Sequence, residues 1–315
     1  MGRIRTAVVG TGYLGRFHAQ KYAQLPTCEL IGVADSRAAV RDAVAAELGT
    51  RAFADHRELL CAVDAVSIAT STPSHFTIAR DFLTAGIHVL VEKPITETVE
   101  QARELVALAD ARGVCLQVGH LERFNPAILA AESYLSGARF VECQRLAPFK
   151  ERGTDVSVVL DLMIHDIDIV QTIVGGAITS VEAIGTRVFS QDIDIANARL
   201  RFANGCVANV TASRVSLKTE RKLRLFRDDA YLSIDLQQKV LTVIRKRDAA
   251  AGAPVAGLPV TIDEQSFEQG DALRAEIESF LACVATGRSP VVGGEDGLRA
   301  LETAVRIAEA LRMGP

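Results

Sequence analysis

Gly10, Gly12 and Gly15 stand in the run Gly10-Thr11-Gly12-Tyr13-Leu14-Gly15, directly after the apolar stretch Ile4–Val9. Glycines at this spacing, between a strand and a helix, meet three demands of a bound dinucleotide. The first makes the tight turn, the second lets backbone approach a pyrophosphate, and the third packs helix against strand. The helix start then offers unpaired amides and the positive end of its dipole to the phosphates. Asp35 closes the next apolar run, 20 residues past Gly15, where a carboxylate accepts hydrogen bonds from the adenosine ribose hydroxyls. That carboxylate repels a 2′-phosphate, so NAD is the expected cofactor. Ser36 and Arg37 beside it keep NADP open, should Asp35 turn away.

Three further segments carry residues able to do chemistry. Thr70 and Thr72-Pro73-Ser74-His75 follow the strand-like AVSIA, at the sheet end where open α/β folds bind ligands. The same residues also read as a helix N-cap with proline. Glu92-Lys93-Pro94 ends the strand-like HVLV, which aims Lys93 at the cofactor crevice, although loop lysines are commonly just solvated. Asp161 and His165 lie four apart within an apolar helical pattern and therefore share one face. Charges buried there without partners would cost several kcal/mol, roughly, so a functional cleft is expected. No third or fourth ligand accompanies them, and no metal is expected. His120 and Arg123, at the point where the pattern changes, fit either a substrate cleft or hinge hydrogen bonds. Of Asp166 and Asp168, one is expected to accept a substrate hydroxyl and the other to face solvent. Arg214, Lys218 and Arg221 could meet a phosphate or be exposed strand charges. His18, His56 and His88 read as structural.

These residues need a scaffold, and the pattern supplies one. Strands are expected at Ile4–Val9, Glu29–Ala34, Ala65–Ala69, His88–Val91 and Cys115–Val118. Helices are expected at Leu14–Leu25, Ala38–Leu48, Phe76–Ala85 and Val99–Ala111. The strands are near-continuously apolar, as strands buried on both faces are, and the alternation implies βαβ crossovers and a parallel sheet. After Gly119 the rhythm changes. Asn125-Pro126 caps a short helix, Arg139–Leu146 reads as a strand, and Val156–Ile173 as an apolar helix. Alternating runs between Ile178 and Ile244, without helices between them, imply antiparallel pairing. The insert Asp248–Leu258 reads as a flexible loop, and helices at Asp271–Ala285 and Gly297–Met313 close the chain. The expected architecture is a Rossmann domain at 1–120 and, at 121–315, an α+β domain with an open, mostly antiparallel sheet. The C-terminal helix is expected to pack back on the first domain.

Composition narrows the classes. The chain has 315 residues, 49% hydrophobic and 23% charged, with a net charge of −4, the balance of a globular protein long enough for two cores. The acidic balance argues against nucleic acid. No stretch approaches the ~18 apolar residues of a membrane span, and the start lacks a signal peptide, so a cytoplasmic protein is expected. Six scattered cysteines without Cys-x-x-Cys spacing read as buried thiols.

GTGYLG, TPSH, EKP at 92–94, RFNP at 123–126 and D-x-x-x-H at 161–165 occur in the order of the glucose–fructose oxidoreductase, inositol dehydrogenase and MocA-like family. The chain resembles that family over essentially its full length. One departure is Met163, where many members carry glycine. The resemblance implies an NAD(P)-dependent dehydrogenase that oxidises a secondary hydroxyl of a sugar to a ketone. It further implies that His165 is the general base, Lys93 holds the same oxygen and Asp161 tunes the pair, with His120 and Arg123 on the substrate side. An imidazole, with its ordinary pKa near ~6.5, suits that role. GHLERFNP with LDLMIHDIDIV is similar to bacterial members associated with nucleotide sugars, which implies UDP-N-acetylglucosamine oxidised at C3. A free sugar or inositol is the alternative substrate, and a non-catalytic NAD(P)-binding sensor the alternative of another class. A homo-oligomer, dimer or tetramer, is expected through the open sheet.

Overall fold

The computed structural model describes residues 2–150, 156–246, 260–268 and 270–313. They form two compact units, residues 1–121 with 271–301 and residues 122–270 with 302–315.

The first unit is built on β1 (Ile4–Val9), β2 (Cys28–Ala34), β3 (Arg51–Phe53), β4 (Ala65–Ile68), β5 (His88–Glu92) and β6 (Leu116–Gly119), in the order β3-β2-β1-β4-β5-β6. Every described pairing in this sheet is parallel. Helices α1 (Tyr13–Gln24), α2 (Ala38–Leu48), α3 (Thr72–Thr84) and α4 (Val99–Arg112) provide the crossovers. All four residues of β4 are buried, which explains the unbroken apolar run. The order reverses between β1 and β4, so the crevice for a ligand opens past the carboxyl ends of these two strands. β3 escapes a pattern reading because three residues, two of them exposed, carry no periodicity.

The second unit follows with α5 (Pro126–Leu135), β7 (Phe140–Leu146), α6 (Ile164–Val174) and β8 (Ile178–Thr186) through β14 (Val260–Ser266). The strands between are β9 (Ile195–Phe202), β10 (Val207–Ser213), β11 (Glu220–Phe226), β12 (Ala230–Asp235) and β13 (Val240–Lys246). The eight strands order as β14-β13-β12-β11-β7-β10-β9-β8. All neighbours are antiparallel except β7 and β10, which run parallel because α6 and two strands separate them in sequence. One face is buried: Ala198, Leu200, Val210, Val141, Cys143, Leu225 and Leu232 lie on it, and α5 and α6 cover it. The other carries paired polar side chains, Asn197 with Thr211 at 2.8 Å and Arg199 with Asn209 at 3.1 Å. The expected flexible insert at 248–258 lies outside the described residues. Two helices complete the chain, α7 (Ala272–Thr286) and α8 (Gly294–Met313).

Two sequence expectations need correction. The helix expected at 156–173 begins with a π-helical turn over Val159–Met163, a widened turn often found at functional sites. Cys61 is exposed and Cys115 half-buried, so only Cys28, Cys143, Cys206 and Cys283 are buried thiols.

Candidate active site

In the first unit the glycine turn has the demanded geometry. Gly10 has φ +88°, and a Cβ there would meet the Ala69 carbonyl oxygen at 2.6 Å. A Cβ on Gly15 would overlap the Gly10 carbonyl oxygen at 1.7 Å, whereas one on Gly12 would meet only the tip of Arg37 at 3.7 Å. Gly10 and Gly15 are therefore fixed by the fold itself, and Gly12 leaves open the surface that a pyrophosphate approaches. No side chain caps the start of α1, so its first amides keep their hydrogen-bonding capacity for phosphate oxygens. Tyr13 and Leu14, just past the turn, are exposed.

Asp35 is strongly anchored. Its Oδ2 accepts from the Thr11 amide at 2.9 Å and the Thr11 hydroxyl at 3.2 Å. Its Oδ1 accepts from the Arg37 amide at 2.9 Å and the guanidinium at 3.1 Å. Burial alone would raise this carboxyl, but the Arg37 guanidinium and the two amides outweigh it and hold it at about 2. The group that would receive the ribose is thus a permanent anion, with Ser36 and Arg37 exposed beside it.

The TPSH and EKP segments are tied to each other. His75 is 1% exposed, with Nδ1 at 2.9 Å from the Pro94 carbonyl and Nε2 at 3.1 Å from the Thr70 carbonyl. Its ring thus links the TPSH and EKP segments. Thr70 and Thr72 are half-buried and Pro73 exposed at the start of α3. The Lys93–Pro94 peptide is cis. The Glu92 carboxylate meets His18 Nε2 at 3.0 Å and accepts the Lys93 amide at 3.3 Å. Lys93 is half-buried at the end of β5, and His120 is 1% exposed just past β6.

In the second unit, Asp161 lies in the π-helical turn and His165 in the first turn of α6. Both are half-buried, whereas Met163, Ile164, Asp166, Ile167 and Asp168 are buried. Asp166 and Asp168 depart from expectation: each is 3% exposed, and neither faces solvent. Arg145 clasps Asp166 at 2.9 and 2.8 Å and reaches Glu122 at 3.1 Å. Arg123 stands 3.4 Å from Asp168 and also donates to the Thr172 hydroxyl. Arg123 is therefore a brace on α6 as well as a substrate-side candidate. Arg145 carried a readable signal, since it alternates with Val141 and Cys143 along the buried face of β7. Arg221 pairs with Glu122 and Lys218 with Glu220, while Arg214 is buried and donates to the Val156 carbonyl. His56 pairs with Asp81, and His88 accepts the Cys115 amide, so His18, His56 and His88 all serve the fold.

Comparison with known proteins agrees with these features. Residues 4–120 match the family model described as "Oxidoreductase family, NAD-binding Rossmann fold", and residues 131–233 match the GFO/IDH/MocA C-terminal domain. UDP-N-acetylglucosamine 3-dehydrogenase of Acidithiobacillus ferrooxidans is 42% identical over 99% of this chain and 98% of its own. Its solved structure superimposes with a TM-score of 0.92 at 40% identity, covering 99% of this chain and 98% of that one. The scyllo-inositol 2-dehydrogenase (NAD(+)) of Bacillus subtilis is 28% identical over 99% of this chain and 95% of its own.

Proposed function

The chain belongs to the Gfo/Idh/MocA family of NAD-dependent oxidoreductases acting on CH–OH groups, and from that premise we propose that it oxidises the C3 hydroxyl of UDP-N-acetylglucosamine to a ketone. The observation that carries the substrate assignment is the 42% identity to a UDP-N-acetylglucosamine 3-dehydrogenase, extending over both units and nearly all of each chain. The inositol dehydrogenase is a more distant relative at 28%.

Bound NAD supplies the hydride acceptor of the reaction. The glycine turn and the start of α1 receive the pyrophosphate, and Asp35 receives the ribose. Lys93 hydrogen-bonds the substrate hydroxyl oxygen and stabilises the negative charge that grows there. His165 accepts the hydroxyl proton. Asp161, in the π-helical turn that precedes His165, tunes the pair, while His120 and Arg123 line the substrate side. These roles follow the family motifs in this sequence. The half-burial of Asp161 and His165, on either side of the buried Met163 and Ile164, supports them.

The protein is further proposed to assemble as a dimer or tetramer through the open face of the eight-stranded sheet, which size-exclusion chromatography with light scattering tests directly. Ile184 and Phe189, 69% and 67% exposed, are available to such an interface. Among the described residues no helix is long and apolar enough to cross a membrane, and residence in the cytoplasm is proposed.

Purified protein mixed with NAD+ and, separately, UDP-N-acetylglucosamine, UDP-N-acetylgalactosamine, UDP-glucose, glucose and myo-inositol tests the reading at 340 nm. Turnover confined to UDP-sugars and lost in Lys93→Ala is expected. Turnover with free polyols alone would transfer the assignment to the inositol dehydrogenases.

A further inference from the structure

Beside the Glu92–Lys93 peptide, three ionisable side chains converge from three elements of the first unit. His18 comes from α1, Glu92 ends β5 and Glu276 lies on α7, and their polar atoms fall within 4.8 Å of one another. His18 is 1% exposed and Glu276 0%. Gly119 makes room for the cluster, since a Cβ there would stand 2.9 Å from Glu92 Oε2.

The charges in this space are unequal. His18 Nε2 lies 3.0 Å from Glu92 Oε1. Burial would raise the Glu92 carboxyl, but His18 and Lys93 outweigh it and hold it below the ordinary range. Glu276 forms no ion pair among the described residues. His18 and Tyr22 face it from α1, Glu92 from β5, and from β6 Gln117, whose amide donates to the Glu276 backbone carbonyl at 3.1 Å. Neither carboxyl oxygen of Glu276 has a hydrogen-bond partner among the described residues, and His18 Nδ1 and Gln117 Oε1 are also unmatched there. An ionised carboxylate so placed would bear the desolvation penalty unrelieved. Burial and the neighbouring Glu92 charge both push the Glu276 carboxyl well above its ordinary range.

We propose that Glu276 is held as a neutral acid beside the His18–Glu92 pair, which leaves Glu92 ionised and makes it a positioning residue for Lys93. The Glu92 carboxylate accepts the Lys93 amide on one side, and His75 engages the Pro94 carbonyl on the other, so Lys93 is fixed from both flanks. A carboxylate of constant charge beside Lys93 also keeps the electrostatic surroundings of its ammonium constant. The link to catalysis rests on the role of Lys93 given above. The protonation state of Glu276 does not, and it is tested without turnover.

The sign follows from the raised Glu276 carboxyl. Its contribution to stability is complete below the unfolded value of 4.5 and falls as pH rises from there toward the folded value. The melting temperature of the wild type, measured relative to that of Glu276→Gln, is therefore expected to drop by on the order of 3 °C per pH unit across that window. Parallel curves for the two proteins would overturn the proposal. So would a stoichiometric divalent metal, found by elemental analysis of untagged wild type and lost in Glu276→Gln, since a cation and not a proton would then hold the cluster. In the catalytic arm, Glu92→Gln is expected to lower kcat about tenfold or more, leave KM for NAD+ within about twofold and move a limb of the pH–rate profile, with partial rescue by Glu92→Asp. A Glu92→Gln enzyme with the wild-type kcat and pH profile would refute the positioning role.

Discussion

Replacing Asp35 by alanine should invert the choice between NAD and NADP, and the structure fixes both the direction and the scale. Held at about 2, Asp35 is fully ionised at neutral pH, and it is the group proposed to receive the ribose hydroxyls. Two unit charges at 4 Å interact by about 1 kcal/mol in water and about 4 kcal/mol at the effective dielectric near a protein surface. The 2′-phosphate of NADP therefore meets a repulsion inside that range, offset in part by Arg37, whose guanidinium stands 3.0 Å from Asp35 Oδ2. Asp35→Ala removes the repulsion and releases the Arg37 side chain, 63% exposed, to pair with the phosphate. The preference should swing toward NADP by about 2–4 kcal/mol, or roughly 30- to 1,000-fold in relative affinity. Dissociation constants for NADH and NADPH, measured by fluorescence at low and high salt, read this directly. Salt should shrink the swing, because the groups are near the surface. Arg37→Ala in the same background should remove most of the gained NADPH affinity. Asp35 also accepts the Thr11 amide, so Asp35→Asn, which preserves the side-chain shape, serves as the folding control. An unchanged NADH/NADPH ratio in folded Asp35→Ala would refute the reasoning.

Acid unfolding should register the same carboxylate: its contribution is complete above the ordinary value of 3.8 and lost as pH falls toward 2, so wild type should lose more stability over that interval than Asp35→Asn in urea titrations. Gly15→Ala places a Cβ 1.7 Å from the Gly10 carbonyl oxygen and should abolish NADH binding while destabilising the fold by about 1–3 kcal/mol or more, seen by calorimetry. His165→Ala should cost about 10²- to 10⁴-fold in kcat with the NADH dissociation constant unchanged. Arg145→Met leaves Asp166 buried without its partner and should destabilise by about 3–5 kcal/mol, most of it recovered by adding Asp166→Leu, as chemical denaturation would report.

The first sheet was largely legible because its strands are buried on both faces and its turn needs glycine. Gly10 and Gly15 must be glycine because a Cβ at either would overlap a backbone carbonyl. What escaped had weak or ambiguous local signals. β14, VTIDEQS, has six exposed residues of seven and so lacks the apolar alternation of a half-buried strand. The π-helical turn hides in an apolar run that reads as ordinary helix. Asp166 and Asp168 read as one substrate acceptor and one solvent-facing residue because their arginines, Arg145 and Arg123, lie far away in sequence. Glu276 did carry a signal, being three residues past Leu273 and four before Phe280 on the apolar stripe of α7. A carboxylate at such a position demands an explanation.

The central claim is hydride transfer from C3 of a UDP-N-acetylhexosamine to NAD+. UDP-N-acetylglucosamine deuterated at C3, incubated with the protein and NAD+, should give deuterated reduced cofactor and a product lighter than its substrate by one hydrogen and one deuterium, both read by mass spectrometry. Deuterium retained in the sugar while the cofactor is reduced, or reduction with myo-inositol and none with the nucleotide sugar, would contradict the account.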